Sequence, residues 1–283
     1  PSTSSFPSQD PSTSSFPSSE PSEYPSPSPS TSDPSSSPSQ QCGWTQRGSD
    51  IIGEDFNEQS GYRLDLASDG NVVVVGSFAK SITNATGGID IEAGSVSIFS
   101  FDDDSSDWNQ LGGDIDEGEA VSISGDGKVV AVGAHFAADT GSARVFRYDE
   151  SSQNWVQLGQ NIYGECDSDK FGISLSLSDD GNTLVVGAHG NPDAGNYYAG
   201  YVRVYGFHSN TDEWVQLGGD IDGEVYYEFS GDATDISSDG NTVAIGAPYN
   251  SETTYYGGQV RVYMYNGSNW YQVGGDINAE DDL

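Results

Sequence analysis

The sequence predicts an all-β protein assembled from a repeated, four-stranded antiparallel unit, and three observations carry that reading. The first is a motif that recurs five times: Trp44-Thr-Gln-Arg-Gly-Ser-Asp, Trp108-Asn-Gln-Leu-Gly-Gly-Asp, Trp155-Val-Gln-Leu-Gly-Gln-Asn, Trp214-Val-Gln-Leu-Gly-Gly-Asp and Trp270-Tyr-Gln-Val-Gly-Gly-Asp. These are all five tryptophans of the chain, at intervals of 64, 47, 59 and 56 residues. The second is an Asp-Gly turn that precedes each of four continuously apolar runs. The third is a polar hairpin that returns the chain into each later tryptophan strand. A period of this length is too long for a β-helix coil and suits a β-propeller blade.

The chain opens differently. Ten of its twelve prolines lie in the first 38 residues among serine and threonine, and the decapeptide 1–10 is nearly duplicated in 11–20. Such a segment has too little apolar surface to offset the entropy of ordering. Residues 1–41 are therefore expected to be a disordered stalk, either a plain linker or an O-glycosylated spacer. Residues 42–283 form the repeat region, with blades expected over about 61–115, 118–162, 172–221 and 231–277.

Each repeat starts with a short alternating run opened by glycine: Gly61-Tyr-Arg-Leu-Asp-Leu, Gly118-Glu-Ala-Val-Ser-Ile, Gly172-Ile-Ser-Leu-Ser-Leu and Gly231-Asp-Ala-Thr-Asp-Ile. The Asp-Gly turn follows, glycine supplying the positive φ a tight hairpin needs. The second strand (Val72–Val75, Val129–Val132, Thr183–Val186, Thr242–Ile245) is apolar throughout, as expected for a strand buried on both faces. A variable loop leads to a third strand containing Ser95-Val-Ser-Ile-Phe, Ala143-Arg-Val-Phe, Val202-Arg-Val-Tyr or Val260-Arg-Val-Tyr. The tryptophan strand is the fourth. Four sets of inner strands face five tryptophan strands, so we expect an open arc of four blades plus one orphan outer strand around Trp44, with further blades in the natural protein. The absence of an initiator Met and of a signal peptide at Pro1 is read as a processed or missing N-terminus.

Phe171-Gly172, Leu184-Val-Val-Gly-Ala-His189, Gly200-Tyr-Val-Arg-Val-Tyr205 and Ile245-Gly-Ala-Pro248 resemble the Phe-Gly…Gly-Ala-Pro repeat of integrin-α-type propellers. The resemblance spans 42–283. It implies extracellular binding, and in some copies of that family a calcium site of alternating acids. Here the turn carries only Ser/Asp/Gly-x-Asp-Gly, too few oxygens for a hard cation, so no metal site is expected.

The formal charge of −35 leaves no basic stripe for phosphates and excludes nucleic acid as a partner. No run of 18 apolar residues is present to span a membrane. Cys42 and Cys166 fall at unrelated places in the repeat, which argues against a disulfide between them. Asn84-Ala-Thr and Asn266-Gly-Ser are glycosylation sequons, consistent with an extracellular or cell-surface location.

The tryptophans are expected to pack between blades. Arg144, Arg203 and Arg261 are expected to make interblade ion pairs with Asp114, Asp220 and Asp276 of the tryptophan strands. His135 and His189 follow Gly-Ala without a third ligand in register, so zinc is not expected, nor any cofactor. Loops between strands two and three should open on the same face as the loops joining blades. There the chain places Tyr163, Tyr197, Tyr198, Tyr226, Tyr227, Tyr249, Tyr255 and Tyr256, interleaved with Glu165, Asp167, Asp169, Asp193, Glu224, Glu228 and Glu252. Exposed loop aromatics mark recognition surfaces. Candidate ligand-binding residues are Tyr197, Tyr198, Tyr226, Tyr227, Tyr255, Tyr256, Glu165 and Glu224, facing a neutral or cationic glycan or protein. The linker into the blade at Gly118 is seven residues shorter than its equivalents, which should leave a notch in that face.

With no catalytic motif in view, the sequence reads as a non-catalytic binding and adhesion module. A propeller-fold enzyme acting on glycans and an acidic structural matrix protein are the alternatives. Deleting residues 1–40 is expected to leave the thermal midpoint unchanged; a fall of many degrees, measured by calorimetry, would show that the stalk packs on the repeats.

Overall fold

The computed structural model describes residues 43–53, 58–80, 82–83, 89–90, 94–190, 198–251 and 255–279; the stalk, Cys42, Asn84, Tyr197 and Glu252 lie outside them. The chain divides into two units, 1–45 and 46–283, and the second carries every strand found among the described residues. Among the described residues no helix is long and apolar enough to cross a membrane.

The first blade comprises β1 (Ser60–Leu66), β2 (Val72–Ser77), a small hairpin β3 (Ile82–Thr83) and β4 (Ile89–Asp90), then β5 (Ser95–Asp102), β6 (Asp107–Gln110) and β7 (Ile115–Asp116). The second has β8 (Ala120–Ile123), β9 (Val129–Ala134), β10 (Ser142–Asp149), β11 (Asn154–Gln157) and β12 (Ile162–Tyr163). The third has β13 (Ser174–Leu177), β14 (Thr183–Ala188), β15 (Tyr201–His208), β16 (Glu213–Gln216) and β17 (Ile221–Asp222). The fourth has β18 (Ala233–Ile236), β19 (Thr242–Ala247), β20 (Gln259–Tyr265), β21 (Trp270–Gln272) and β22 (Ile277–Asn278). Each blade is an antiparallel meander of four strands, as expected. A two-residue fifth strand (β7, β12, β17 or β22) also pairs with the third strand beyond the end of the tryptophan strand. The break between the two outer segments falls at Gly112, Gly159, Gly218 and Gly274, all at positive φ.

The innermost strands β1, β8, β13 and β18 follow one another about the axis. Blade faces meet in apolar cores: Val185, Val202, Val204 and Ile221 of the third blade pack with Ile236, Val243 and Ile245 of the fourth. Four tryptophans stitch each repeat to the one before. The indole N–H of Trp155 donates to the carbonyl of Leu111 (2.7 Å), Trp214 to Leu158 (2.9 Å) and Trp270 to Leu217 (2.7 Å). Trp108 donates to Arg47 (2.8 Å), which therefore occupies the leucine position of a preceding repeat. The expected orphan strand is not formed: residues 46–50 contact the tryptophan strand of blade one through Arg47 and Ser49 but are not themselves a strand, and the Trp44 side chain is exposed.

The arc is open. Ile115, Ile162 and Ile221 are each 6 % exposed, whereas the equivalent Ile277 is 60 % exposed. At the other end Leu64 and Leu66 of β1 are exposed where Ile123 and Leu177 are buried. Each uncovered side chain forgoes about 1.5–3 kcal/mol of burial.

The Asp of each turn is consumed by the turn. Asp180 accepts from Ser178 Oγ and the Asn182 amide, and Asp239 from Ser237 Oγ and the Asn241 amide. The serine hydroxyls in turn accept from the Thr183 and Thr242 amides. The hydrogen bond from Ser237 holds the Asp239 carboxyl below its ordinary range, with Asn241 adding to it.

The glycine ending each second strand has a packing role. A Cβ on Gly187 would lie 2.0 Å from the carbonyl oxygen of Gly231, and one on Gly133 would lie 2.2 Å from that of Gly172. On Gly246, with no blade beyond it among the described residues, the nearest atom would be Ala233 Cβ at 3.4 Å. Gly187→Ala is therefore expected to destabilise by about 1–3 kcal/mol or more. Gly246→Ala is expected to stay within about 1 kcal/mol of the parent, since only the entropic gain and a tolerable contact act there. Denaturant melts of both variants test the contrast, and equal effects would refute the assigned interblade contact.

Candidate active site at the axial mouth

The loops after the second strands and the linkers joining blades share one face. Phe229 N donates to Tyr198 O (3.1 Å), Ser168 N to Asp139 O (2.9 Å) and Tyr249 N to Glu228 O (3.2 Å). At the axis end of this face, the residue after each opening glycine lies near residues that follow the Gly-Ala of a second strand. Two histidine–carboxylate pairs result. His189 Nδ1 is 2.7 Å from Asp232 Oδ1 across the third and fourth blades. His135 Nδ1 meets Glu119 Oε1 within the second blade, with both side chains buried.

The two pairs differ in access. Asp232 lines a cleft of about 200 Å³ at the axis to which all four blades contribute, with Arg63 from the first, Val121 from the second and Leu175 from the third. The hydrogen bond with His189 holds the Asp232 carboxyl below its ordinary range against partial burial, and the charge of Arg63 adds to the effect. The His189 ring packs against Phe229, their centroids 5.1 Å apart. His135 lies under Phe136, over which Lys170 sits 4.0 Å from the ring centroid. Burial pushes the Lys170 ammonium down, opposed by the charge of Glu119.

The arginines depart from the sequence expectation. Arg203 does grip Asp220, with Nε to Oδ1 at 2.9 Å and Nη2 to Oδ2 at 2.7 Å, but within one blade, and it also reaches Glu165 at 2.7 Å. Arg261 pairs with Glu228 (2.7 Å) and Glu224 (3.2 Å), leaving Asp276 to Gln272. Arg144 donates to the carbonyls of Asp116 and Glu117, while Asp114 is held by Lys80 at 2.6 Å. Two of the three tryptophan-strand pairs are thus replaced, because the linker acids and carbonyls lie nearer to the guanidinium. Arg144 lines a cleft of about 330 Å³ beside the shortened linker.

Of the predicted ligand-binding residues, Tyr198, Tyr226, Tyr227, Tyr255 and Tyr256 are exposed on this face. Tyr163 is exposed too, its hydroxyl accepting from Asn161. Glu165 and Glu224 do not stand free as ligand-facing acids; Arg203 and Arg261 engage them. Asp169 and Glu228 are buried loop anchors. Asp169 accepts from the amides of Glu165 and Cys166 and from the Tyr201 hydroxyl, and Glu228 from the Glu224 amide and Asn250. Asn266 sits exposed in the β20–β21 hairpin, its Oδ1 accepting from the Ser268 and Asn269 amides. The histidine pairs were missed because their partners are far apart in sequence. For Glu119 and His135 the antiparallel pairing of β8 with β9 held a signal, with Gly-x opening one strand and Gly-Ala-His closing the next; the His189–Asp232 pair crosses two blades and left none.

No protein-family model and no curated protein matches the chain. Among solved structures it is similar to a proposed 6-phosphogluconolactonase from Bacteroides uniformis, at 13% identity and a TM-score of 0.51 over 76% of this chain and 54% of that one. It is equally similar to the periplasmic gluconolactonase of Pseudomonas aeruginosa, at 18% identity and a TM-score of 0.51 over 77% of this chain and 57% of that one. The chain thus spans just over half the length of either. Likeness at this identity establishes a β-propeller fold. The non-catalytic adhesion reading is overturned, because these neighbours of the same fold are named as lactonases.

Asp232 titrates lower in the folded chain than in the unfolded one, so its interaction stabilises above the unfolded value and is lost as pH falls through the folded one. The melting-temperature gap between the parent and Asp232→Asn is expected to be open at neutral pH and to close below about pH 4. A gap that widens on acidification would reverse the assignment.

Proposed function

We propose that the chain is a propeller-fold hydrolase that opens neutral sugar lactones at the axial mouth, outside the cytoplasm. The observation that carries this is the His189–Asp232 pair, whose carboxylate lines an axial cleft that Arg63 also lines. Asp232 engages Nδ1 and orients the ring, which leaves Nε2 to act as a general base. In the proposed step His189 takes a proton from water as the oxygen attacks the lactone carbonyl carbon. The carbonyl becomes an oxyanion, and Arg63 is the cation placed to stabilise it. The ring C–O bond then breaks, the leaving alkoxide takes the proton back from His189, and a hydroxy acid results. Both lactonase neighbours support this chemistry by fold.

The charge of the chain selects among lactones. At −35, with few bases, it repels a phosphorylated substrate and assists departure of the carboxylate product. The Pro/Ser-rich N-terminal segment, two sequons and the periplasmic location named for one neighbour support an extracytoplasmic setting. We keep the integrin-α-type likeness as a reading of the repeat motif alone.

The test is hydrolysis of glucono-δ-lactone, followed by proton release, with the full chain. The parent is expected to exceed the uncatalysed rate and to favour this substrate over its 6-phosphate. His189→Ala is expected to lower kcat by about 10²-fold or more. No acceleration across neutral lactones, or an unchanged rate in His189→Ala, would reject the proposal.

A further inference from the structure

Beyond the dyad, the same face carries an aromatic chain that hydrolysis of a single ring does not need. Tyr227 stacks on Tyr198 with centroids 5.5 Å apart and planes 25° apart. Tyr198 meets Phe229 edge-on at 5.7 Å, Phe229 meets Tyr249 at 5.1 Å, and Tyr249 meets Tyr256 at 5.6 Å. Tyr255 closes the series at 4.1 Å from Tyr256. Phe229 also packs on His189, so the series runs without a gap to the proposed base. All five tyrosines are exposed, Tyr255 at 78 %.

The fold does not require aromatics here. Tyr198, Tyr227 and Tyr256 have φ of 57°, 61° and 55°, a left-handed conformation that bulky residues rarely adopt. In the neighbouring repeat the equivalent positions of Tyr198 and Tyr227 hold Asp139 (φ 62°) and Ser168 (φ 70°). The turn is therefore satisfied by small polar residues, and each tyrosine is held there at a strain of about 1–2 kcal/mol. Strain retained on a surface where the rings stay about half exposed points to a ligand.

The electrostatics identify its class. The loops 189–200, 223–231 and 249–258 contain no lysine or arginine, so an anionic ligand finds no counter-charge. The acids among the described residues of these loops are engaged: Glu224 and Glu228 by Arg261, and Asp232, next in the chain, by His189. What the surface offers is flat ring area and phenol hydroxyls, a match for the C–H faces and hydroxyls of uncharged pyranose rings. We propose that this aromatic chain is a binding subsite for a neutral oligosaccharide, which it feeds towards His189. Only the last clause rests on the lactonase reading; binding by the tyrosines does not.

The experiment is calorimetric titration of the full chain with cellohexaose, laminarihexaose and mannohexaose, with hexalysine as a charged comparison, alongside tyrosine difference absorbance. At least one hexaose is expected to bind with Kd in the millimolar range or tighter and to perturb tyrosine absorbance. Tyr255→Ala with Tyr256→Ala is expected to weaken it about tenfold or more, which corresponds to 1.4 kcal/mol. The double Phe variant is expected to retain binding through its rings, and His189→Ala to bind like the parent while losing lactone turnover. Binding without lactonase activity would sink the proposed reaction and leave the subsite standing. The subsite is refuted if no hexaose binds, if hexalysine binds in its place, or if the double Ala variant binds like the parent.

Discussion

Gly187 and Gly231 bring two blades so close that a single methyl group would collide with the opposing carbonyl. That approach sets the distance between the third and fourth blades at their inner edge. His189 is two residues beyond the first glycine and Asp232 one beyond the second, so the backbone contact itself delivers the imidazole to the carboxylate. The tryptophans do the corresponding work at the outer edge, where each indole N–H reaches the carbonyl of the repeat before it. Between these two seams the apolar strands fill the space, and their register follows from it. The geometry of the dyad is thus a by-product of blade spacing rather than of a dedicated loop.

An acidic chain of this kind has to dispose of its carboxylates locally. Each Asp-Gly turn spends its acid on the turn, and the linkers spend theirs on arginines of the third strand. Arg203 and Arg261 are nearly buried, and such cations are tolerable only with partners in good geometry. Arg203 shows how the pairing is graded. Burial works against its charge, and the fork of Asp220 with the nearby tyrosines and Glu165 outweighs that. The linker that carries Tyr226 and Tyr227 therefore hangs from a buried ionic anchor, Glu228 on Arg261, which helps hold the left-handed Tyr227 in place.

The repeat, the turns and the strand order were legible because each recurs with fixed spacing, and recurrence turns a weak local signal into a strong one. The fifth strands were not, since two residues such as Ile162 and Tyr163 carry no periodicity and read as linker. Partner choice was only partly legible, because linker acids compete with those of the tryptophan strand: Arg203 holds both Asp220 and Glu165. Asp276 and Glu228 are equivalent candidates for Arg261 on spacing, and only the folded chain shows that the linker acid lies deeper. The His189–Asp232 pair spans two repeats, and no short motif reports such a pair. Reading the absence of a motif as the absence of chemistry led to the adhesion assignment, and that step, rather than the fold, is where the sequence argument failed.

The fourth blade keeps the interior pattern at a face where nothing among the described residues covers it. Gly246 retains the glycine that elsewhere admits a neighbouring backbone, and Val260 and Ile277 retain apolar side chains at positions that are buried in the other blades. Blade one shows the reciprocal: Leu64 and Leu66 are uncovered, and Trp108 is bound to the Arg47 carbonyl of a segment that forms no strand. Each repeat therefore encodes half of two interfaces, and stability accrues interface by interface along the arc. The aromatic face follows the opposite rule. Its positions vary from Asp139 to Tyr198 and from Ser168 to Tyr227 while the backbone stays the same. Packing determines the strands, and the loops are left free to be specialised without changing the scaffold that holds them.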